Sequence, residues 1–266
     1  MAFRDSCVDS NFWVHTINMK FMDYKKQIIY GIFGAGGFGR EVMPVARQML
    51  ENSSNSHPKK YELFFVNEEF AEPKVVNGHK LINKQDFISL QADQKYFNIA
   101  ISNYKVRERI STEMIQSKIY PFTIKAANTV VMDENKIGPG AILSPFTTIT
   151  SNAKIGNYFH SNIYSYVAHD CIIGDFVTFA PNVHCNGNVI IEDYAYIGTG
   201  AIIKHGTEEK KIKIGKGAII GMGAVVTKNV PPFTTVIGNP ASELKQKINH
   251  NARIPKKNNT PIFNSH

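Results

Sequence analysis

A six-residue period running from Val131 to Val226 constrains this chain more than any other feature. Stepping by six from Val131 meets Ile137, Leu143, Ile149, Ile155, Ser161, Val167, Ile173, Phe179, Cys185, Ile191, Ile197 and Ile203, and only Ser161 is not apolar. Two places ahead of many of these stand small or apolar residues, among them Ala141, Ala153, Cys171, Val177, Val183, Val189, Ala195 and Ala201. An α-helix would repeat near 3.6 residues and a half-buried strand every 2, so neither accounts for a period of six. Short strands stacked coil upon coil do, each coil burying its apolar positions against the next, which is a parallel β-helix. Gly138, Gly156 and Gly174 recur at every third hexapeptide. That spacing predicts a triangular prism with glycine at equivalent corners, where its backbone freedom is useful.

The period skips once. Ile203 and Ile214 are 11 residues apart, so Lys204 to Lys211 is predicted to bulge out as a loop, the usual place for a binding insertion in a repeat fold. Val230-Pro231-Pro232 is expected to stop the coils, and the polar, Lys- and Asn-rich tail beyond them to form a cap and then lose order.

The first third of the chain reads differently. Gln27 to Phe33 is a buried-strand pattern feeding Gly34-Ala35-Gly36-Gly37-Phe38-Gly39 and then a helical pattern through Val45, Ala46 and Leu50. A G-x-G-x-x-G turn between strand and helix lets the backbone approach phosphates, with unpaired N–H groups of the helix start as donors. Further strands are predicted at Glu62–Val66 and Tyr96–Ile101, and helices at Lys84–Leu90 and Val106–Gln116. The alternation implies a small parallel sheet flanked by helices, a Rossmann-like α/β unit. Strand ends in such sheets face the ligand crevice, which makes Glu68, Ser102, Asn103 and Arg107 candidate contacts beside the glycine turn. Glu68 lies 29 residues after Gly39, against about 20 for the ribose-binding acid of a nicotinamide site, so an oxidoreductase reading rests on the glycines alone. The expected division is an N-terminal extension over 1–25, the α/β unit over 26–122, the β-helix over 123–242 and a C-terminal cap and tail over 243–266.

A net charge of +8 suits an anionic ligand, although much of the excess sits in tail residues such as Lys245, Lys247, Arg253, Lys256 and Lys257, where a solvated surface serves as well as a nucleic-acid site. Cys7, Cys171 and Cys185 show no disulfide or metal spacing, and the last two occupy filler positions of the repeat, as reduced thiols of a cytoplasmic protein would. No run approaches the roughly 18 apolar residues of a membrane span, so no membrane insertion is expected. Within the repeat, His169-Asp170 is not needed by the apolar lattice. It falls beside a corner, where an imidazole supported by a carboxylate can act as a general base. His160, His169 and His184 lack accompanying carboxylate or thiolate spacing, so no metal is expected.

With these residues in view, the repeat, the segment YVAHDCIIGDFVTFAP (166–181), Gly187-Asn188 and the closing IGKGAIIGMGAVVTKNVPPFTTVIGNPA resemble the bacterial hexapeptide-repeat acyltransferases. Together with the glycine-rich N-terminal unit, the chain is similar to the nucleotide-aminosugar N-acetyltransferases and sialic acid O-acetyltransferase-like proteins of that family. The resemblance implies a left-handed β-helix, a homotrimer with active sites between subunits, acetyl-CoA as co-substrate and a nucleotide sugar as acceptor for surface glycan biosynthesis. No nucleic acid partner is implied. It further implies His169 as base, Asp170 as its support, Gly187 as the backbone donor to the thioester oxygen and Asn162 as an active-site asparagine. Thr178, Gly198, Thr199, Lys204, Gly206, Gly221 and Met222 would line the CoA channel, and Gly34, Gly36, Gly37, Phe38 and Gly39 would hold the nucleotide phosphates. Sugar O-acetylation is the alternative activity, and a non-catalytic nucleotide-sugar-binding scaffold the alternative of another class.

Overall fold

In the computed structural model the described residues are 27–53, 61–69 and 74–244. The expected N-terminal extension, Cys7, and the tail after 244 with its basic residues lie outside them.

The first unit is built on β1 (Ile28–Phe33), α1 (Gly37–Ser53), β2 (Tyr61–Asn67), β3 (Lys74–Val76), β4 (His79–Asn83), α2 (Lys84–Ser89), β5 (Gln94–Ile99), α3 (Tyr104–Gln116) and β6 (Tyr120–Pro121). The strands form one sheet in the order β3-β4-β2-β1-β5-β6, parallel except for the β3–β4 hairpin. β1 is central, and its run of apolar residues is buried on both faces, as a strand covered by helices requires. Asn103 caps α3, its side-chain oxygen accepting the N–H groups of Lys105 and Val106.

From Ile124 onward the chain winds as a left-handed parallel β-helix of two- and three-residue strands on three faces. One face stacks Ile124–Lys125, Ile142–Leu143, His160–Ser161, Thr178–Phe179, Tyr196–Ile197, Ile219–Ile220 and Thr235–Ile237. The second runs from Val130–Val131 to Val225–Val226, and the third from Lys136–Ile137 to Ile212–Ile214. As far as Ile197, each strand pairs with the one three hexapeptides further on, as in Ile142 with His160 and Lys154 with Ile172. The six-residue apolar positions point inward and form one continuous core with the preceding small residues, including Ile149, Val167, Ile173, Phe179, Cys185, Ile197 and Ile220. Ser161, the exception to the pattern, is fully buried in the same column.

Two expectations need correction. The recurring glycines do not sit where left-handed backbone angles are required. Those belong to residues two places later, where Gly140, Tyr158 and Phe176 have φ of 75°, 55° and 57°, and the next coil continues the column with Tyr194 at 65°. Gly138, Gly156 and Gly174 are glycine because the next coil passes too close. A Cβ on Gly138 would lie 2.7 Å from the Gly156 carbonyl carbon, and one on Gly174 would lie 2.6 Å from the Asp193 nitrogen. The prolines at 231 and 232 do not end the winding either. Thr235–Ile237 adds one more parallel rung on Ile219–Ile220 before an antiparallel return through Ser242–Glu243.

The two units share their cores. Tyr158, Phe176 and Tyr194 stack in one corner column at centroid separations of 5.0 and 5.8 Å and pack against Phe97 and Tyr104 of the first unit. Left-handed angles cost a residue with a Cβ about 1–2 kcal/mol. Aromatic pairs return about 0.5–1.5 kcal/mol each beyond their burial, so the column sustains its own strained corners.

Arg107 lies under this seam and is wholly buried, which corrects its expected role as a ligand contact. Its guanidinium donates to the carbonyls of Ile101 and Ser102, to Thr178 Oγ1 (2.7 Å), to His160 Nδ1 (3.0 Å) and to the Phe176 carbonyl. Four of these contacts share Nη1 and one uses Nη2, while Nε is buried without a partner; a surface arginine would have no such set. Burial lowers its pKa to about 9, still above neutral, so it stays charged. Thr178 is corrected with it: this residue is 7% exposed and faces the first unit, away from any external channel.

Candidate active site

Each structural unit carries one group of the expected site residues. In the first, Gly34 turns the chain out of β1 with φ of +100°, and a Cβ on Gly39 would overlap the Gly34 carbonyl. Those two glycines are dictated by the turn itself. Gly36 and Gly37 are different, because a Cβ on either would meet nothing within 4 Å. Nothing in the described fold requires them to be glycine, so the open space over them is room for something outside the chain. α1 starts at Gly37 with no acidic residue in its first turn, which leaves the positive end of its dipole uncompensated for an anion. Phe38 packs on the His160 ring at 5.2 Å, so it fixes the turn against the β-helix. Ser102 and Asn103 are exposed at the end of β5, beside the turn. Glu68, on the same rim, is engaged by Arg109 (2.5 and 2.7 Å) and Lys84. The hydrogen bond from Arg109 is the first cause holding its carboxyl below the usual carboxylate range.

The second region is the prism edge carrying Glu134, Asn152, Asp170 and Asn188, all in left-handed conformation. His169 and Asp170 sit on it with more than two-fifths of each side chain exposed, and His169 Nδ1 lies 2.7 Å from Asp170 Oδ2. An ionised carboxylate only accepts, so the neutral ring carries its proton on Nδ1 and leaves Nε2 with a free lone pair. Gly187 lies directly beneath that nitrogen. A Cβ there would stand 2.5 Å from Nε2 and 2.6 Å from Cε1, so the ring occupies the space a side chain would take. The Gly187 carbonyl accepts the N–H of Gly206 (2.9 Å), whereas its own N–H has no partner among the described residues although the residue is buried. Beside the imidazole, that N–H is a donor left available for an incoming acceptor.

The expected loop forms over 204–211 and wraps back on this edge. Besides the Gly206 contact, the Ile212 N–H reaches the Asn188 carbonyl (3.3 Å) and Lys211 Nζ reaches the Asp170 carbonyl (3.1 Å). Sequence reasoning did not single out Lys211; the only signal was the basic Lys210-Lys211 pair closing the insertion. Between the loop and the next coil lies a cavity of about 630 Å³, lined by Lys204, His205, Gly206, Lys210, Lys211 and Lys228 among others. Of the residues expected along the channel, Lys204 and Gly206 border it. Thr199 and Met222 are exposed on the corner that follows the first face, Met222 at 81%. Gly198 and Gly221 lie just before them, where a Cβ would stand 2.7 Å from the Ile220 carbonyl oxygen and 2.6 Å from the Ile237 side chain respectively.

Asn162 is not brought to His169. It stands half-buried at the corner between the first and second faces, its side-chain oxygen accepting the Ile163 N–H, while His169 stands at the corner between the second and third. Beside Asn162, Phe146 and Tyr164 stack with rings 4.9 Å apart and parallel, both more than half exposed. Cys171 and Cys185 face each other inside the prism at 4.0 Å, and the Cys171 contact together with burial pushes the Cys185 thiol well up. Among the described residues no group of three or more His, Cys, Asp and Glu is placed to hold a metal, and no helix is long and apolar enough to cross a membrane.

Comparison with known proteins gives a consistent set of relatives. Residues 30–114 match the PglD N-terminal domain model. The chain is 53% identical over 218 residues to the GDP-perosamine N-acetyltransferase of Escherichia coli O157:H7, covering 82% of this chain and 97% of that protein. Among solved structures it is similar to WeeI from Acinetobacter baumannii AYE, at 51% identity and a TM-score of 0.76 over 82% of this chain and all of the other. It is also similar to the acetyltransferase domain of PglB from Neisseria gonorrhoeae FA1090 in complex with acetyl coenzyme A, at 26% identity and a TM-score of 0.71, covering 81% and 98%.

Proposed function

The chain belongs to the hexapeptide-repeat acyltransferase family, and from that premise we propose that it transfers the acetyl group of acetyl-CoA to the amine of a nucleotide-linked amino sugar, of the GDP-perosamine kind. The observation that carries the reading is the geometry around Gly187: an imidazole held by a carboxylate, its free nitrogen over an unpaired backbone N–H.

In this reading the sugar amine attacks the thioester carbon while His169 Nε2 takes up the amine proton. Asp170 stabilises the imidazolium through the 2.7 Å hydrogen bond already in place. The Gly187 N–H meets the oxygen that becomes negative, a contribution of about 3 kcal/mol for a well-aimed donor. The C–S bond breaks as the amide forms, and the CoA thiolate departs with no covalent enzyme intermediate. The cavity beside the loop, ringed by Lys204, Lys210, Lys211 and Lys228, suits the phosphates of CoA. The glycine turn and the start of α1 suit the diphosphate of the nucleotide sugar. Because Asn162 and His169 stand on different edges of one prism, a site containing both requires a second copy of the chain, which supports the trimer with active sites between subunits. The nucleotide sugar and acetyl-CoA that it consumes support a cytoplasmic location and a role in surface glycan synthesis.

The test is a thiol-release assay with acetyl-CoA against GDP-perosamine, UDP- and dTDP-linked 4-amino sugars and free sialic acid, with His169→Ala alongside. Turnover on a nucleotide amino sugar and a loss of about 10²–10⁴-fold in kcat for the variant are expected. Turnover confined to the hydroxyl acceptor, or a variant as active as the parent, overturns the reading.

A further inference from the structure

The loop over 204–211 has a peculiarity that channel lining does not explain. Up to Ile191 each coil pairs with residues three hexapeptides further on, but Ile191 pairs with Ile214, so the insertion is absorbed within a single coil and the ladder resumes in register on all three faces. A loop added for surface contact alone needs only its two ends fixed. This one is also tied to the prism within the loop, at Gly206 to the carbonyl of Gly187 and at Lys211 to the carbonyl of Asp170, and just past it at Ile212 to the carbonyl of Asn188. All three acceptors belong to the edge that carries the imidazole. Lys211 is half-buried and borders the space on each side of Asp170. On one side it stands with Asn152, Lys154 and Ile172, and on the other with Asn188 and Glu208.

We propose that Lys211 is a positioning residue for the acetyl-transfer reaction: its ammonium holds the Asp170 carbonyl, and with it the left-handed corner that aims the Asp170 carboxylate at His169. The inference rests on the reading of His169 as the base. The corner has φ of +60° at Asp170, a conformation that a residue with a Cβ adopts only when its surroundings hold it there. The Asp170 N–H is taken by the Ser151 carbonyl, and Lys211 supplies the partner on the carbonyl side. The peptide is then anchored at both ends, and the carboxylate has little choice of direction.

The experiment reads the His169 tautomer from its two ring-nitrogen resonances in a long-range 1H–15N NMR spectrum at alkaline pH, in otherwise substrate-free full-length protein, with His169→Ala supplying the assignment. Parent, Lys211→Met, Lys211→Gln and Lys211→Arg are compared. The parent should show the Nδ1–H form that the Asp170 hydrogen bond selects. Loss of the ammonium in the Met and Gln variants should release the corner and admit the Nε2–H form as a visible fraction, and Arg, which keeps a cationic donor, should restore the parent spectrum. The readout needs neither CoA nor acceptor, so it stands apart from the identity of the substrate. If the parent then turns over no amino sugar, the proposed function fails while the coupling stands. A tautomer unchanged in Met and Gln, or changed equally in Arg, overturns the proposal.

Discussion

Replacing Gly187 by alanine should silence the enzyme without unfolding it. The added Cβ would sit 2.5 Å from His169 Nε2, 2.6 Å from Cε1 and 3.0 Å from Cδ2, and no other atom is as near. All three belong to one ring, so the clash can be relieved only by swinging the imidazole away. That movement is easy, because the His169 side chain is 59% exposed and has solvent to move into. The φ of Gly187 lies outside the left-handed region, so alanine meets no backbone penalty, and loss of glycine's freedom in the unfolded chain should stabilise by about 0.4–1 kcal/mol. Stability therefore stays level or rises slightly. The kinetic consequence is of another order. With Nε2 displaced, the base contribution of about 10²–10⁴-fold is forfeited, a rise in the barrier of about 3 to 5 kcal/mol. Thiol release at saturating acetyl-CoA and nucleotide sugar measures kcat, and a urea melt measures stability. Because the substitution acts through the ring, adding it to His169→Ala should cost almost nothing more. A Gly187→Ala enzyme within twofold of the parent, or a double variant with fully multiplicative losses, would refute the reasoning.

Two further outcomes concern the seam between the units. Arg107→Met removes the donor from the buried acceptors at His160, Phe176 and Thr178 and should destabilise the protein by about 3 to 5 kcal/mol in urea unfolding; a loss under about 1 kcal/mol would contradict the role given to this side chain. His160 is fully buried, and desolvation first, then the Arg107 charge, hold its pKa well below the usual value. Below a pH of about 6.5 the unfolded chain therefore takes up a proton that the folded chain refuses, and stability should fall by up to about 1.4 kcal/mol per pH unit. His160→Gln should flatten that slope between pH 5 and pH 7 in urea midpoints, and an unchanged slope would assign the acid sensitivity elsewhere.

The winding was legible because its physics is periodic: a residue buried at every sixth place leaves a mark that no helix or ordinary strand could leave. The pairing of His169 with Asp170 was legible for a simpler reason, since neighbours in sequence need no long-range contact to meet. Arg107 was misread because a charged residue on a helix is ordinarily solvated, and its acceptors at Phe176 and Thr178 lie about 70 residues onward. The corner glycines were attributed to backbone freedom when the cause is the neighbouring coil. The residues that do take left-handed angles, Tyr158, Phe176 and Tyr194, are types that local propensity would keep out of such positions. Tertiary stacking decides there, and no window of sequence contains it. Lys211 escaped notice because the break in the ladder identifies a loop and says nothing of where it folds back.

The aromatic corner column also acts as a graduated mount. The first unit grips the winding by rings that recur once per coil, and neighbouring coils stand about 4.8 Å apart. Moving those rings to the equivalent positions of the next coil would slide the glycine turn along the prism by that one increment, leaving the imidazole edge and the inner packing as they are. The distance between the glycine turn and the imidazole edge is thus quantised in this architecture. A lineage needing a longer or shorter acceptor could change it by relocating a few rings, without redesigning either module.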